Sequence, residues 1–303
     1  MLRNLLLYLS THRQLRSWME TASLPARLTS RFIAGHTLAE ALDVCKRLNE
    51  ERFLVTLDHL GESVTSPEES EIARDAYLES LKSIRAARLS STVSLKLSQL
   101  GLAIDTHLCR ANLEPVVRLA AELGSGVEVD MESSPYVDRT LALVREMHAR
   151  YGCVRAVLQA YLYRTDADAR QLCREGIPVR LCKGAYKEPP NVAYPRKRAV
   201  NASFLRLSAF LLENGNHPAI ATHDPKMIRA AIEQAGRLKL PPESFEFQML
   251  YGIRRDLQNM LVSQGYRVRL YVPYGVAWYP YFMRRLAERP ANLLFLLKNL
   301  FRP

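Results

Sequence analysis

The chain is poor in the residues that build metal and thiol redox centres. Its five cysteines, Cys45, Cys109, Cys153, Cys173 and Cys182, are dispersed and form no CxxC pair. That excludes a dithiol motif and fits buried, reduced side chains. The seven histidines show no HxH or HExxH spacing, so no protein-bound metal is expected. GxGxxG, GxxxxGK[ST] and GxSxG are all missing, which speaks against a Rossmann dinucleotide site, a P-loop and a nucleophile elbow. No apolar run approaches the ~18 residues of a membrane span. The opening MLRNLLLYLSTHRQ resembles a signal peptide only briefly, because Leu5 to Leu9 is too short and no small-residue cleavage site follows. The expected location is cytoplasmic, with a peripheral contact to the inner membrane left open. No linker rich in Gly, Pro or Ser separates a second large domain.

The 303 residues are 48% hydrophobic and 24% charged, a globular composition with ample material for a core. Lys plus Arg outnumber Asp plus Glu by 42 to 31, a net charge of +11. The surplus is scattered, so a solubilising surface competes with affinity for an anionic ligand. No recognition-helix motif and no basic stripe with interleaved aromatics is present, so nucleic acid is not an expected partner.

Residues 1–45 read as a helical arm, with Trp18, Met19, Phe32 and the run Leu38 to Leu48 among its apolar positions. Residues 46–303 then carry eight short β-branched or aliphatic runs: Phe53 to Asp58, Thr92 to Leu97, Gly126 to Met131, Val154 to Tyr161, Pro178 to Gly184, Ala219 to Asp224, Phe245 to Leu250 and Val268 to Gly275. Helical patterns fill the intervals, as in Glu69 to Arg88 and Val137 to Tyr151. Strand–helix alternation repeated eight times predicts an α/β fold, a (β/α)8 barrel, with an open doubly wound sheet as its competitor.

A barrel places its chemistry at the C-terminal ends of its strands. Those ends carry Asp58, Lys96, Asp130 with Glu132, Gln159 with Tyr161, Arg180 with Lys183, Thr222, His223 and Asp224, Gln248, and Tyr271. Each alone is an ordinary polar residue. Together they line one rim with both signs of charge, which suits a zwitterionic or polyanionic ligand. After the last run, Tyr281, Arg284, Arg285 and Glu288 stand at i, i+3, i+4 and i+7, on one helical face, while Trp278, Phe282 and Leu286 take another. Adjacent arginines form a fork for a carboxylate. The competing reading is a solvated stripe with an i,i+4 Arg284–Glu288 pair. Lys96 and Lys183 in apolar runs raise an alternative function, a Schiff-base lyase or aldolase barrel.

Six segments then resemble the proline dehydrogenase family: VSLKLSQLGL (Val93 to Leu102), PVRLCKGAYKE (Pro178 to Glu188), ATHD (Ala221 to Asp224), FEFQMLYG (Phe245 to Gly252), LYVPYG (Leu270 to Gly275) and YFMRRLAERPAN (Tyr281 to Asn292). The resemblance runs from about Leu54 to Asn292 and is to the monofunctional bacterial type, since no aldehyde dehydrogenase domain follows. It implies a distorted (β/α)8 TIM barrel, with extra N-terminal helices and a C-terminal helix over the mouth, holding non-covalent FAD. The implied reaction oxidises L-proline to Δ1-pyrroline-5-carboxylate by hydride transfer from C5 to flavin N5. The electrons pass to a membrane quinone, and a separate pyrroline-5-carboxylate dehydrogenase is an implied partner.

By resemblance, Arg284, Arg285 and Lys96 bind the proline carboxylate and Glu288 orients the arginines. Tyr271, Tyr281 and Leu250 wall the ring, and Asp130 holds the cationic cluster. Gln159 and Arg180 face the isoalloxazine, with Arg180 near N5. Lys183, Gly184, Ala185 and Tyr186 follow the ribityl and pyrophosphate, and Thr222 and His223 the adenosine side. Glu62 is the implied gate partner of Arg284. The chain departs from the pattern at Cys182, where a β-branched residue is common, and at Lys187, where an aromatic is. The C-terminal Leu293 to Phe301 reads either as core cover or as a lipid-facing helix.

Overall fold

The computed structural model describes residues 31–61 and 64–288, with residues 284–288 described through their backbone alone. Eight strands close a parallel barrel in sequence order: β1 (Leu54–His59), β2 (Ser91–Lys96), β3 (Val127–Asp130), β4 (Val154–Gln159), β5 (Val179–Cys182), β6 (Ala219–Ala221), β7 (Glu246–Leu250) and β8 (Arg267–Tyr274). Each starts and ends within three residues of an expected run. The helices are α1 (Leu38–Glu50), α2 (Pro67–Ala86), α3 (Thr106–Glu122), α4 (Val137–Tyr151), α5 (Thr165–Arg174), α6 (Lys197–Asn214), α7 (Pro225–Arg237), α8 (Arg255–Ser263) and α9 (Tyr279–Glu288).

The strands fold this way because their sequences alternate. In Val55-Thr56-Leu57-Asp58, Val93-Ser94-Leu95-Lys96 and Val127-Glu128-Val129-Asp130 every second residue is aliphatic, and a strand sends successive side chains to opposite faces. The aliphatic set points outward and packs under the helices, with Val55, Leu57, Val93, Leu95, Val127 and Val129 fully buried. The polar set points into the barrel. Closure is completed by β8 beside β1, where Thr56 is level with Tyr271.

Helix starts are marked by their caps. Thr37 accepts from the Glu40 amide while the Glu40 carboxylate accepts from the Thr37 amide, the reciprocal pair of a capping box. Ser66 before Pro67 accepts from the Glu69 amide, and Asp224 before Pro225 accepts from the Lys226 amide, which caps α2 and α7. Helix α1 runs unbroken through residues 45 and 46 and packs on β1 and β8. The first 30 residues of the expected arm lie outside the described residues.

Phe32 was expected in a helix, and the structure corrects this. Residues 31–36 are not helical. The Ala34 amide donates to the Pro273 carbonyl at 2.9 Å and the Gly275 amide donates to the Gly35 carbonyl at 3.0 Å. Gly35 has φ +142, which ends any helix there. The segment seals the end of β8, and Phe32 packs 6.2 Å from Phe282.

The outer core is aromatic beside β7. Phe247 is fully buried, with its ring 5.4 Å from Phe245 and 5.7 Å from Tyr266. Phe247→Ala is expected to destabilise the fold by about 3–5 kcal/mol. Urea denaturation measures this; a change under about 1 kcal/mol would contradict the packing described.

Candidate active site

The barrel interior is a column of charge. At its centre Arg180 on β5, 5% exposed, donates from Nη1 to Glu128 Oε2 at 3.0 Å and to Gln248 Oε1 at 3.2 Å. Its Nη2 reaches Asp130 Oδ1 and, at 3.3 Å, Ser94 Oγ. Towards the N-terminal end, Glu246 accepts from Arg269 Nε at 2.9 Å and pairs with Arg155. Gln248 Nε2 donates to both Glu128 oxygens, at 2.9 and 3.0 Å, and to Glu246 Oε1 at 2.8 Å.

Towards the C-terminal end, Tyr271 donates to Asp130 Oδ2 at 2.8 Å. Lys96 Nζ lies 3.3 Å from Asp130, 3.7 Å from Asp58 Oδ2 and 3.3 Å from the Tyr271 hydroxyl. Four cations (Lys96, Arg155, Arg180, Arg269) thus face four carboxylates (Asp58, Glu128, Asp130, Glu246). Isolated burial of any of these charges would cost several kcal/mol, and pairing offsets it.

Protonation follows from the pairing. Burial acts to raise the Asp130 carboxyl, but Arg180 and Lys96 outweigh it and hold it below its ordinary value. Burial opposes ionisation of Glu246 too, and Arg269 and Arg155 overcome it. Burial, reinforced by Asp130 and Asp58, pushes the Tyr271 hydroxyl well up, so it stays a donor.

The structure brings Asp58, Lys96, Asp130, Arg180, Gln248 and Tyr271 into one network. Other expected residues form a second arc on β4 to β7. The Gln159 amide donates to the Glu132 carbonyl at 2.8 Å. Lys183 donates to Asn201 at 2.8 Å and to Asp224 at 2.9 Å. Thr222 is buried, and His223 Nε2 accepts from the Leu250 amide at 2.8 Å. Gly184 has φ +106, and a Cβ there would stand 2.2 Å from the Tyr161 ring. Ala185 and Tyr186 are exposed beside it.

Helix α9 follows β8 closely, and within it Tyr281 is buried. Arg284, Arg285 and Glu288 share that helix, so the spacing expected of them holds for the backbone. Their side chains, and Glu62, lie outside what is described. Trp278 and Phe282 are buried with rings 5.7 Å apart, as the apolar face required.

A cavity of about 400 Å3 opens at the opposite, N-terminal mouth, against Arg155, Arg267, Arg269, Glu128 and Glu246. It lies away from the strand ends that carry barrel chemistry. Sequence reading had missed Glu128, Glu246, Arg155 and Arg269. The signal was there: Glu128 and Glu246 stand two residues before Asp130 and Gln248, on the same strand face.

A family model described as proline dehydrogenase matches residues 41–298. The chain belongs to the proline dehydrogenase family. It is 38% identical to proline dehydrogenase 1 of Bacillus subtilis (strain 168), over 304 residues and 100% of both chains. It is also 38% identical to the proline dehydrogenase of Deinococcus radiodurans, over 91% of this chain and 90% of that one. Among solved structures, proline utilization A (PutA) from Bdellovibrio bacteriovorus, inactivated by N-propargylglycine, superposes with a TM-score of 0.80 at 28% identity. That match covers 86% of this chain but 32% of the longer PutA chain.

The pH dependence of stability has a definite sign. Asp130 and Glu246 titrate below their unfolded values of about 3.9 and 4.3. Their contribution is therefore complete above about pH 5 and lost as pH falls through the lower folded values. Each adds up to about 1.4 kcal/mol per pH unit in that window. Arg155→Gln takes one guanidinium from Glu246 and is expected to move the acid limb to higher pH. Denaturation midpoints between pH 3 and 7 check this; an unmoved limb would contradict the pairing.

Proposed function

We propose that the chain oxidises L-proline to Δ1-pyrroline-5-carboxylate, with non-covalent FAD as first electron acceptor and a membrane quinone as the second. One observation carries the reading. In a chain of this family, Lys96, Asp130 and Tyr271 converge from β2, β3 and β8 on the C-terminal side of Arg180 at the centre of the barrel. Proline is a zwitterion, and the convergence offers charges of both signs beside an aromatic wall.

The residues fit a flavin by the chemistry of their donors. A flavin needs donors along its polar ring edge and a cation for its pyrophosphate. Arg180 and Gln159 supply buried donor groups on adjacent strands, and Lys183 stands at the rim with its side chain 27% exposed. FAD, when bound, supplies the acceptor for the hydride from proline C5 and relays both electrons onward.

The chain's own residues bind and orient. In this reading Arg284 and Arg285 on α9 form the fork for the carboxylate, aided by Lys96, and Glu288 aligns them. Tyr271, Tyr281 and Leu250 confine the ring. Asp130 already accepts from Arg180, Tyr271 and Ser94, so it holds the cluster. Glu62 is the gate partner of Arg284 in this reading. Thr222 and His223 serve the adenosine side, and the Gly184–Tyr186 segment lies along the phosphates.

The Schiff-base alternative is less favoured. Lys96 and Lys183 are each engaged by carboxylates, and an amine would have to leave its partner to attack a carbonyl. No helix among the described residues is long and apolar enough to cross a membrane. Electron delivery to a membrane quinone goes through a peripheral contact in this reading.

The purified protein is expected to be yellow, and anaerobic proline to bleach its flavin bands. A colourless protein that borohydride traps on a carbonyl substrate would overturn the reading. Arg285→Met is expected to lower kcat/KM for proline by about 2–5 kcal/mol of transition-state stabilisation. Steady-state kinetics decide it; an unchanged kcat/KM would remove Arg285 from the fork. Tyr271 would crowd a ring hydroxyl, so Tyr271→Ser is expected to raise 4-hydroxyproline turnover relative to proline. No rise would count against Tyr271 as the specificity wall.

A further inference from the structure

Glu128 lies deeper in the barrel than any residue assigned above, yet it makes the contact that fixes Arg180 from below. Its Oε2 accepts from Arg180 Nη1 at 3.0 Å. Its Oε1 stands 3.6 Å from both Arg155 and Arg269. Gln248 donates to both its oxygens and accepts from the same Arg180 nitrogen. The carboxylate is 3% exposed, so water screens it little. Glu128 and Asp130 are alternate residues of β3, and their carboxylates hold the two terminal nitrogens of one guanidinium.

We propose that Glu128 is a positioning residue whose negative charge fixes Arg180 and limits the positive charge that Arg180 presents to the bound flavin. The inference rests on the reading of Arg180 as a flavin neighbour. Three guanidiniums surround Glu128, and among the described residues only Glu246 and Asp130 otherwise answer them. Neutralising Glu128 therefore leaves a surplus positive charge inside the barrel. A surplus positive charge favours the electron-rich, reduced form of a flavin beside it. A purely structural Glu128 would change stability and leave that balance alone.

The test is the midpoint potential of the bound flavin, read spectroscopically against a reference dye without proline, in the wild-type holoprotein and three variants. Glu128→Gln is expected to shift the balance about tenfold towards reduced flavin, which is about 30 mV for a two-electron couple. Glu128→Asp keeps the charge and is expected to hold the wild-type potential. Arg155→Gln, which takes a positive charge from the same column, is expected to shift the potential the other way; it serves as the test if Glu128→Gln does not fold. An unchanged potential in Glu128→Gln, or an equal shift in Glu128→Asp, would overturn the role of Glu128. So would an unmoved or raised potential in Arg155→Gln. These results leave the proline-oxidising reading intact. A wild-type chain that takes up no FAD would overturn both.

Discussion

A guanidinium inside a closed barrel has to be answered by carboxylates, and Arg180 sets the terms for everything around it. Glu128 and Asp130 meet its two terminal nitrogens. Those carboxylates are themselves buried and need further cations: Arg155 and Arg269 beside Glu128, Lys96 beside Asp130. Glu246 then answers Arg155 and Arg269, and Asp58 answers Lys96. The chain of compensation ends only when four positive and four negative groups have been placed. Removing any one partner leaves another charge buried without its counter-ion, which is why such networks are costly to break.

The same constraint sorts the two faces of every strand. A barrel with an ionic interior cannot also bury its aliphatic core there. The aliphatic residues point outward, where α1 to α8 cover them, and the helices take over the stabilising role that a packed interior often has. Tyr271 joins the two requirements. It is level with Thr56 across the β1–β8 seam, and its ring lies 5.5 Å from the Arg180 guanidinium. Its hydroxyl is held by Asp130, so the ring has a fixed position facing the mouth.

Much of the fold was legible because strand and helix alternate with unmistakable punctuation. The eight runs, their order and α4 from Val137 to Tyr151 all appear where periodicity put them. Two things were not legible. The segment around Phe32 looked helical by composition, but its amide and carbonyl partners are Pro273 and Gly275, distant in sequence and invisible to local pattern. The lower half of the charge column lies away from the strand ends, where a barrel's chemistry is expected. Glu128, Glu246, Arg155 and Arg269 sit inside runs that read as aliphatic, although a period of two singles them out. Their meaning lies in pairs such as Arg155 with Glu246, which only closure of the barrel creates.

The closed charge balance also bears on where a substrate carboxylate can be held. Lys96 is the cation of the column nearest the rim that an incoming anion could share, and Asp58 and Asp130 already answer it. An added carboxylate at that point would tip the cluster to net negative and would have to be desolvated without a full partner. Binding therefore calls for positive charge from outside the column. Helix α9 follows β8 on the same side of the barrel and carries adjacent arginines at 284 and 285. On the proposed reading these two supply the missing charge, and Lys96 contributes as the inner edge of a fork whose strength comes from the helix. On that reading the barrel alone is balanced, and the basic helix at its rim makes it a site for an amino-acid anion.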